Sequence, residues 1–310
     1  MPNDSLNMER GVVTRSTGSW YQVYLEKGWS ASCRLRGQYR LKGVRTTNPV
    51  SVGDHVTLRF EENQETAVIV EIEPRKNYII RKATNLSREA HIIASNIDQA
   101  MIVATIDQPR TSTGFIDRFL ATAEAYHIPA LIVFNKIDLY QPAHWELLHY
   151  YREVYVAAGY KVELTSVYEM TGIEKILDLL KDKVTLISGH SGVGKSALIN
   201  AIDPELDLKT GEISNVHNKG KHTTTFAEMF RLSCGGWIVD TPGIKEFGLH
   251  DIDDETLAHR FPEMRAVMSD CRFANCTHLH EPGCAVKLAV ENGQIADFRY
   301  QNYVNMLSAE

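Results

Sequence analysis

The chain has 310 residues, 44% hydrophobic and 23% charged, an ordinary globular balance with room for two or three domains and a sizeable core. No apolar run approaches the ~18 residues of a transmembrane helix, and the polar opening MPNDSLNMERG lacks an apolar signal core, so a cytoplasmic protein with no membrane partner is expected. The net charge of −6 argues against a nucleic-acid binder taken alone, and five cysteines without a secretory signal do not make a disulfide framework.

The charge is uneven. Residues 9–88 hold fourteen Lys/Arg against eight Asp/Glu, a net +6 that leaves −12 on the rest, which points to a local polyanion contact. Within that stretch GVVTRSTGSWYQVYL, WSASCRLRG, DHVTLRF and TAVIVEIEP read as short β-rich segments separated by Gly and Asn/Pro clusters. About five strands in so short a span fit a small closed barrel of the OB type, assigned to residues 1–75. Trp20, Tyr21, Tyr24, Trp29 and Tyr39 suit an oligonucleotide-binding face or, more simply, the core and strand pairing. Arg34, Arg36, Arg40, Lys42 and Arg45 are the better candidates for phosphate contact. Residues 76–98 read as an irregular linker.

From residue 99 the pattern changes. QAMIVATI and PALIVFN are continuous apolar runs, as in strands buried on both faces, and TGFIDRFLATAEAYHI between them has helical spacing. The helix PAHWELLHYYREVYVAAGY, the strand KVELTSV, the helix GIEKILDLLKDK and the strand VTLISG follow. This alternation implies a parallel sheet with helices on both faces, over residues 76–249.

Five stretches in this region carry chemistry. NKID, at Asn135, Lys136, Ile137 and Asp138, ends an apolar strand; a carboxylate at Asp138 can accept from two donors on a guanine edge, while adenine would leave the charge unpaired. TSVYEMTG stands where a second base-contacting loop belongs, with Ser166 and Val167 making contact mainly through backbone. GHSGVGKS follows a strand and opens the helix KSALINAI, the context that confirms a phosphate-binding loop. There Gly189, His190, Ser191, Gly192, Val193 and Gly194 turn backbone N–H groups toward phosphates, Lys195 supplies a cation, Ser196 can ligate Mg²⁺, and Ala197 continues the helix. DTPG follows the strand GWIV: Asp240 can hold Mg²⁺ and the Gly243 N–H can sense a γ-phosphate. In HTTT, Thr224, with Thr225 next in line, can complete the Mg²⁺ shell. An ATPase or small-molecule kinase would share GHSGVGKS, and NKID argues against it.

This set resembles the translation-factor-like GTPases with the elements in rotated order: base loop, second base loop, phosphate loop, then the two switch segments. All these loops are expected at the carboxyl ends of parallel strands, so joining the old ends and cutting elsewhere leaves one nucleotide site intact.

After GWIVDTPG no strand is expected; CAVKLAVENG and DFRYQNYVNML have helical patterns within a mostly α module at 250–310. CRFANCTHLHEPGC places Cys271, Cys276, His278 and Cys284 at a spacing suited to closed, structural Zn²⁺ coordination, with His280 an alternative fourth ligand. Cys33 and Cys234 lie in strand-like stretches and are assigned to the core.

A barrel, a permuted GTPase region and this cysteine spacing together closely resemble the bacterial ribosome small-subunit-dependent GTPases, over nearly the whole chain. That resemblance implies a GTP-hydrolysing switch in late maturation of the 30S subunit, with GTP and GDP as substrate and product, Mg²⁺, one structural Zn²⁺, and 16S rRNA and the 30S subunit as partners of a monomer. It also implies ribosome-stimulated hydrolysis. Many GTPases place a water-orienting Gln directly after D-x-x-G; here Ile244 stands there and cannot orient water. His222 is the nearest candidate for that task. Hydrolysis incidental to GTP-gated RNA binding, and a permuted GTPase acting on the large subunit or another RNA, remain as alternatives.

Overall fold

The computed structural model describes residues 8–35, 49–60, 66–82, 90–208, 227–240 and 253–308. They fall into two units: one takes the described residues of Met1–Asp98, Leu180–Leu186 and Asn215–Gly243, the other those of Gln99–Leu179, Ile187–Ser214 and Ile244–Glu310.

The first unit is built on β1 (Met8–Ser16), β2 (Tyr21–Leu25), β3 (Ser30–Leu35), β4 (His55–Phe60) and β5 (Ala67–Ile72). β1 pairs antiparallel with β2 and with β4, β2 with β3, β3 parallel with β5, and β5 antiparallel with β4. The ring is therefore closed in the order 1-2-3-5-4, and closure removes the open edges on which sheets aggregate. Period-two patterning sends Tyr21, Val23 and Leu25 inward and Gln22 outward. They join Val13, Cys33, Val56, Leu58 and Ile69 in one core. Gly11 lies where β1 is crowded against β2: a Cβ there would come within 2.5 Å of the Tyr24 carbonyl oxygen. Trp20 and Trp29 stay on the surface, 40% and 46% exposed, with the Arg34 guanidinium 4.3 Å from the Trp20 ring centre. Arg36, Tyr39, Arg40, Lys42 and Arg45 lie outside the described residues.

Residues 76–98, read as irregular, instead contain an antiparallel strand pair, β6 (Tyr78–Lys82) and β7 (Ala90–Ser95). The strands are short and interrupted by Lys, Arg and Ser, so the alternation that marks a half-buried strand is weak. A buried carboxylate fastens this pair to the barrel. Asp54 accepts from Ser51 N (2.9 Å), from Arg75 Nε and Nη2 (2.6 Å each) and from Ser95 Oγ (2.6 Å). Gly53 beside it, at φ +90°, could not carry a Cβ, which would fall 2.1 Å from the Ser95 carbonyl oxygen.

In the same unit β12 (Glu228–Arg231) runs antiparallel to β13 (Trp237–Asp240), a departure from the all-parallel expectation. The connection explains it. Residues 232–236 form a tight turn, closed by Leu232 N to Gly236 O (2.8 Å), and a turn this short joins only antiparallel neighbours. Cys234 sits half-buried in that turn rather than in a strand core, whereas Cys33 is fully buried in β3, where desolvation pushes its thiol up to about 12.

The second unit contains β8 (Gln99–Ala104), β9 (Ala130–Phe134) and β10 (Lys161–Leu164), all parallel, with β9 between the other two. Every residue of β8 is buried, as its unbroken apolar run requires. Helix α1 (Thr113–Ala125) starts at Ser112, whose hydroxyl accepts from Phe115 N. In chain order α2 (Pro142–Ala157), α3 (Ile173–Leu180), β11 (Val184–Ser188), of which 184–186 belong to the first unit, and α4 (Lys195–Ile202) follow. The C-terminal part adds α5 (Asp254–Leu257), α6 (Pro262–Arg265), α7 (Ala285–Glu291) and α8 (Asp297–Leu307). Phe261, Met264, Val286, Ile295 and Tyr303 form its core together with Ala121 of α1. No helix among the described residues is long and apolar enough to cross a membrane.

Candidate nucleotide site and metal centre

The phosphate loop is shaped by three glycines in the left-handed region, Gly189 (φ +145°), Gly192 (φ +85°) and Gly194 (φ +98°). Two also need the space: a Cβ on Gly189 would meet the Val103 carbonyl oxygen at 2.3 Å, and one on Gly194 the Asn135 amide nitrogen at 2.5 Å. Helix α4 begins at Lys195, so the first-turn N–H groups and the positive end of the helix dipole face the loop. Lys195 Nζ donates to Gly189 O (2.7 Å) and His190 O (2.9 Å), which lays the ammonium across the loop. Lys195 and Ser196 are buried, Ser191 is exposed, Val193 is buried and Ala197 half-buried.

Asn135 ties the base loop to the phosphate loop. Its Nδ2 donates to Val193 O (2.9 Å) and its Oδ1 accepts from Thr165 Oγ1 (2.9 Å). Lys136 adopts a left-handed backbone (φ +62°) and donates through Nζ to Gln108 O (2.7 Å), while Ile137 is buried. Asp138 stands at the mouth, half-buried, with Oδ1 accepting from Ser166 Oγ at 2.6 Å. Ser166 Oγ in turn accepts from Glu169 N (3.0 Å), and half-buried Val167 follows it. One Asp138 oxygen is thus oriented from behind, which aims the carboxylate.

Sequence reasoning missed several supports. Tyr140 OH donates to Asn135 O and accepts from Ile106 N, both at 2.9 Å. Burial pushes that hydroxyl up to about 12, with Asp107 and Asp138 adding to the shift, so it remains a donor. Thr165, Gln108 and the side chain of Ser166 were also unforeseen; each acts on a partner far away in the chain, which leaves no local signal. Asp240 ends β13 in the first unit and is 8% exposed. His222, Thr224, Thr225, Gly243 and Ile244 lie outside the described residues.

The ligand atoms of Cys271, Cys276, His278 and Cys284 lie within 4.8 Å of one another. His278 Nδ1 is 3.6 Å from Cys271 Sγ and 3.4 Å from Cys284 Sγ, and those two sulfurs are 4.0 Å apart. Zn–S bonds of about 2.3 Å and Zn–N bonds of about 2.0 Å in a tetrahedron give edges of roughly 3.8 Å (S to S) and 3.5 Å (N to S), so the donor set fits Zn²⁺. His280 is exposed and outside the group. Burial holds His278 toward its neutral, ligating form. Burial, with the neighbouring Cys284 and Cys271 adding, pushes the Cys276 thiol up to about 12, a preference that a divalent cation reverses. His278 has φ +62°, and Glu281 pins its loop by accepting from Thr277 Oγ1 (2.7 Å), Thr277 N (2.8 Å) and Leu279 N (3.1 Å). Those bonds, the Thr277 pair foremost, hold the Glu281 carboxyl down to about 2.

A glycine-shaped phosphate loop bound to an N-K-x-D loop that precedes it in the chain defines a P-loop nucleotide-binding protein of circularly permuted order. The RsgA GTPase family model matches residues 72–250 and the RsgA N-terminal domain model residues 10–69. The Small ribosomal subunit biogenesis GTPase RsgA 2 of Bacteroides thetaiotaomicron is 54% identical over 299 residues, 96% of each chain. The Small ribosomal subunit biogenesis GTPase RsgA of Phocaeicola vulgatus is 52% identical over 298 residues, again 96% of each. Among solved structures, YjeQ from Thermotoga maritima superposes with a TM-score of 0.79 at 35% identity, covering 97% of this chain and 98% of its own. YloQ, a circularly permuted GTPase, gives 0.75 at 32%, covering 99% and 96%. The chain belongs to the RsgA family of GTPases.

Proposed function

We propose that this chain is a GTP-driven switch in late maturation of the small ribosomal subunit, and that the ribosome stimulates its hydrolysis of GTP. The observation that carries the reading is the aimed carboxylate of Asp138, held by Ser166 beside a base loop that Asn135 ties to Val193. Two acceptor oxygens there match the N1–H and N2–H donors of guanine, and an adenine edge would leave buried charge unpaired. The names of the relatives support the subunit as the target.

In this reading Asn135, Lys136, Ile137 and Asp138, with Ser166 and Val167, read the base. The segment from Gly189 to Ala197 holds the phosphates, and Ser196, Thr224 and Asp240 serve Mg²⁺. His222 orients the attacking water, and Gly243 reports the γ-phosphate. The cysteine cluster holds one structural Zn²⁺. Three functional divisions act together in a cytoplasmic monomer: a barrel (1–75) that contacts 16S rRNA, the GTPase region (76–249) and the cysteine module (250–310). With Ile244 in the usual glutamine position, intrinsic turnover is slow; groups supplied by a partner are worth about 10³–10⁵ in rate elsewhere, which leaves room for strong stimulation.

The test is GTP turnover by the purified full chain, alone and with small subunits, with large subunits and ATP as controls. A large rise confined to GTP and small subunits is expected, and His222→Ala should abolish most of it. A flat rate with GTP tightly bound would overturn the ribosome-stimulated reading.

A further inference from the structure

Helix α1 touches both the phosphate loop and the C-terminal module from neighbouring positions near its N-terminal end, and neither contact is explained by nucleotide chemistry alone. At its first turn the Phe115 ring stacks on the ring of His190 in the phosphate loop, with centroids 3.9 Å apart and planes inclined by 27°. The segment that leads into α1 lies on the same side: Pro109 ring atoms would be 3.6–3.7 Å from a Cβ on Gly192, and Gln108 O accepts from Lys136 Nζ. Ser112 caps Phe115 N at 3.2 Å, so the residue that carries the stacked ring is fixed in the helix.

Asp117, two residues on, is fully buried. It accepts from Tyr155 OH (2.8 Å), Arg299 Nη1 (2.6 Å) and Asn302 Nδ2 (2.6 Å). Asn302 also lies over Gly114, its Oδ1 3.4 Å from where a Cβ would stand. Arg299 and Asn302 belong to α8. The same helix holds the ligand loop, through Tyr300 OH to His278 O (2.7 Å) and Tyr303 OH to Thr277 O (2.8 Å). No Gly or Pro lies between Phe115 and Asp117, so the helix offers no hinge there to absorb a shift.

We propose that the N-terminal end of α1 is a strut through which the C-terminal module sets the position of the phosphate loop, with Phe115 of α1 and Asn302 of α8 as positioning residues on its two sides. A displacement of α8 moves Asp117, hence Phe115, hence the His190 segment whose backbone turns toward phosphate. By linkage the effect is reciprocal: nucleotide in the loop tightens the seating of α8 on α1. The strut needs only the GTPase site, and it stands whether or not the partner is the small ribosomal subunit.

The experiment is a double-mutant cycle on the full chain, reading the dissociation constants of fluorescent GDP and of a slowly hydrolysed GTP analogue, with thermal melting as the fold control. Phe115→Ala should weaken nucleotide binding about 2- to 10-fold, the range of an aromatic pair, and Phe115→Trp should restore it. Asn302→Ala, which has no contact with the nucleotide loops, should weaken binding in the same direction. The double variant should be no weaker than Phe115→Ala alone, because both changes cut one path. Two results would overturn the strut: an unchanged dissociation constant in folded Asn302→Ala, or single effects that multiply in the double variant. Should Phe115→Ala fail to fold, His190→Ala takes its place in the cycle with the same expected non-additivity.

Discussion

At the scale of single residues, the proposed guanine recognition rests on how few atoms aim one carboxylate. Asp138 has one oxygen held at 2.6 Å by Ser166, and the loop beneath it is braced by Asn135, Thr165 and Tyr140. Asp138→Asn replaces an acceptor with a donor. GTP affinity should fall at least ~100-fold, because a buried guanine donor faces an amide N–H, while xanthosine triphosphate, with a carbonyl in place of the 2-amino group, should become the better ligand. Competition between the two nucleotides measures this directly; a variant that still prefers GTP would remove Asp138 from base reading. NKID and GHSGVGKS were legible because a strand, a turn and a helix start lie within a few residues of each other. The Ser166 bond was not, since it joins residues 28 apart in the chain and looks like any serine in a polar loop. Tyr140 was hidden for the same reason: its hydroxyl reaches Ile106, 34 residues away.

At the scale of elements, periodicity identified α1, α2 and α8 but said nothing of what holds α8 in place. DFRYQNYVNML contains an arginine that any surface reading would leave in water. It is instead 1% exposed, with Nη1 on Asp117 (2.6 Å), Nε on Glu263 (2.6 Å) and its guanidinium 4.6 Å from the Phe261 ring centre. Burying the Asp117 and Arg299 charges, with half-buried Glu263 beside them, is tolerable only because they are paired. Arg299→Met leaves two carboxylates without their cation and should destabilise the fold by about 3–5 kcal/mol, read by urea unfolding of the full chain. Adding Asp117→Leu to that variant should recover part of the loss, because an unpaired buried charge is then gone; a double variant less stable than the single would contradict this account. The strands β6 and β7 teach the same lesson from the other side. Their local pattern is weak, and what anchors the segment is Asp54, which gathers Ser51, Arg75 and Ser95 from across the unit.

At the scale of the whole molecule, a C-terminal module this small would gain stability from a Zn²⁺ on its Cys271, Cys276, His278 and Cys284 donor set in addition to its apolar core. Elemental analysis should find about one zinc per chain, falling close to zero in Cys271→Ser and Cys284→Ser with a lower melting temperature. A chain that purifies without metal and melts unchanged would make the cluster three ordinary thiols and a histidine. The rotated order of the loops matters to time as well as to space. A ribosome making this chain completes Asp138 while all of residues 139–188 are still unwritten, and only then reaches the glycines that grip phosphate. Through that interval the nascent chain carries the N-K-x-D loop without its later partners, Thr165 and Val193 on Asn135 and, at first, Ser166 on Asp138. The base loop therefore waits for two later segments before the nucleotide site can close, an order reversed in a chain whose phosphate loop comes first.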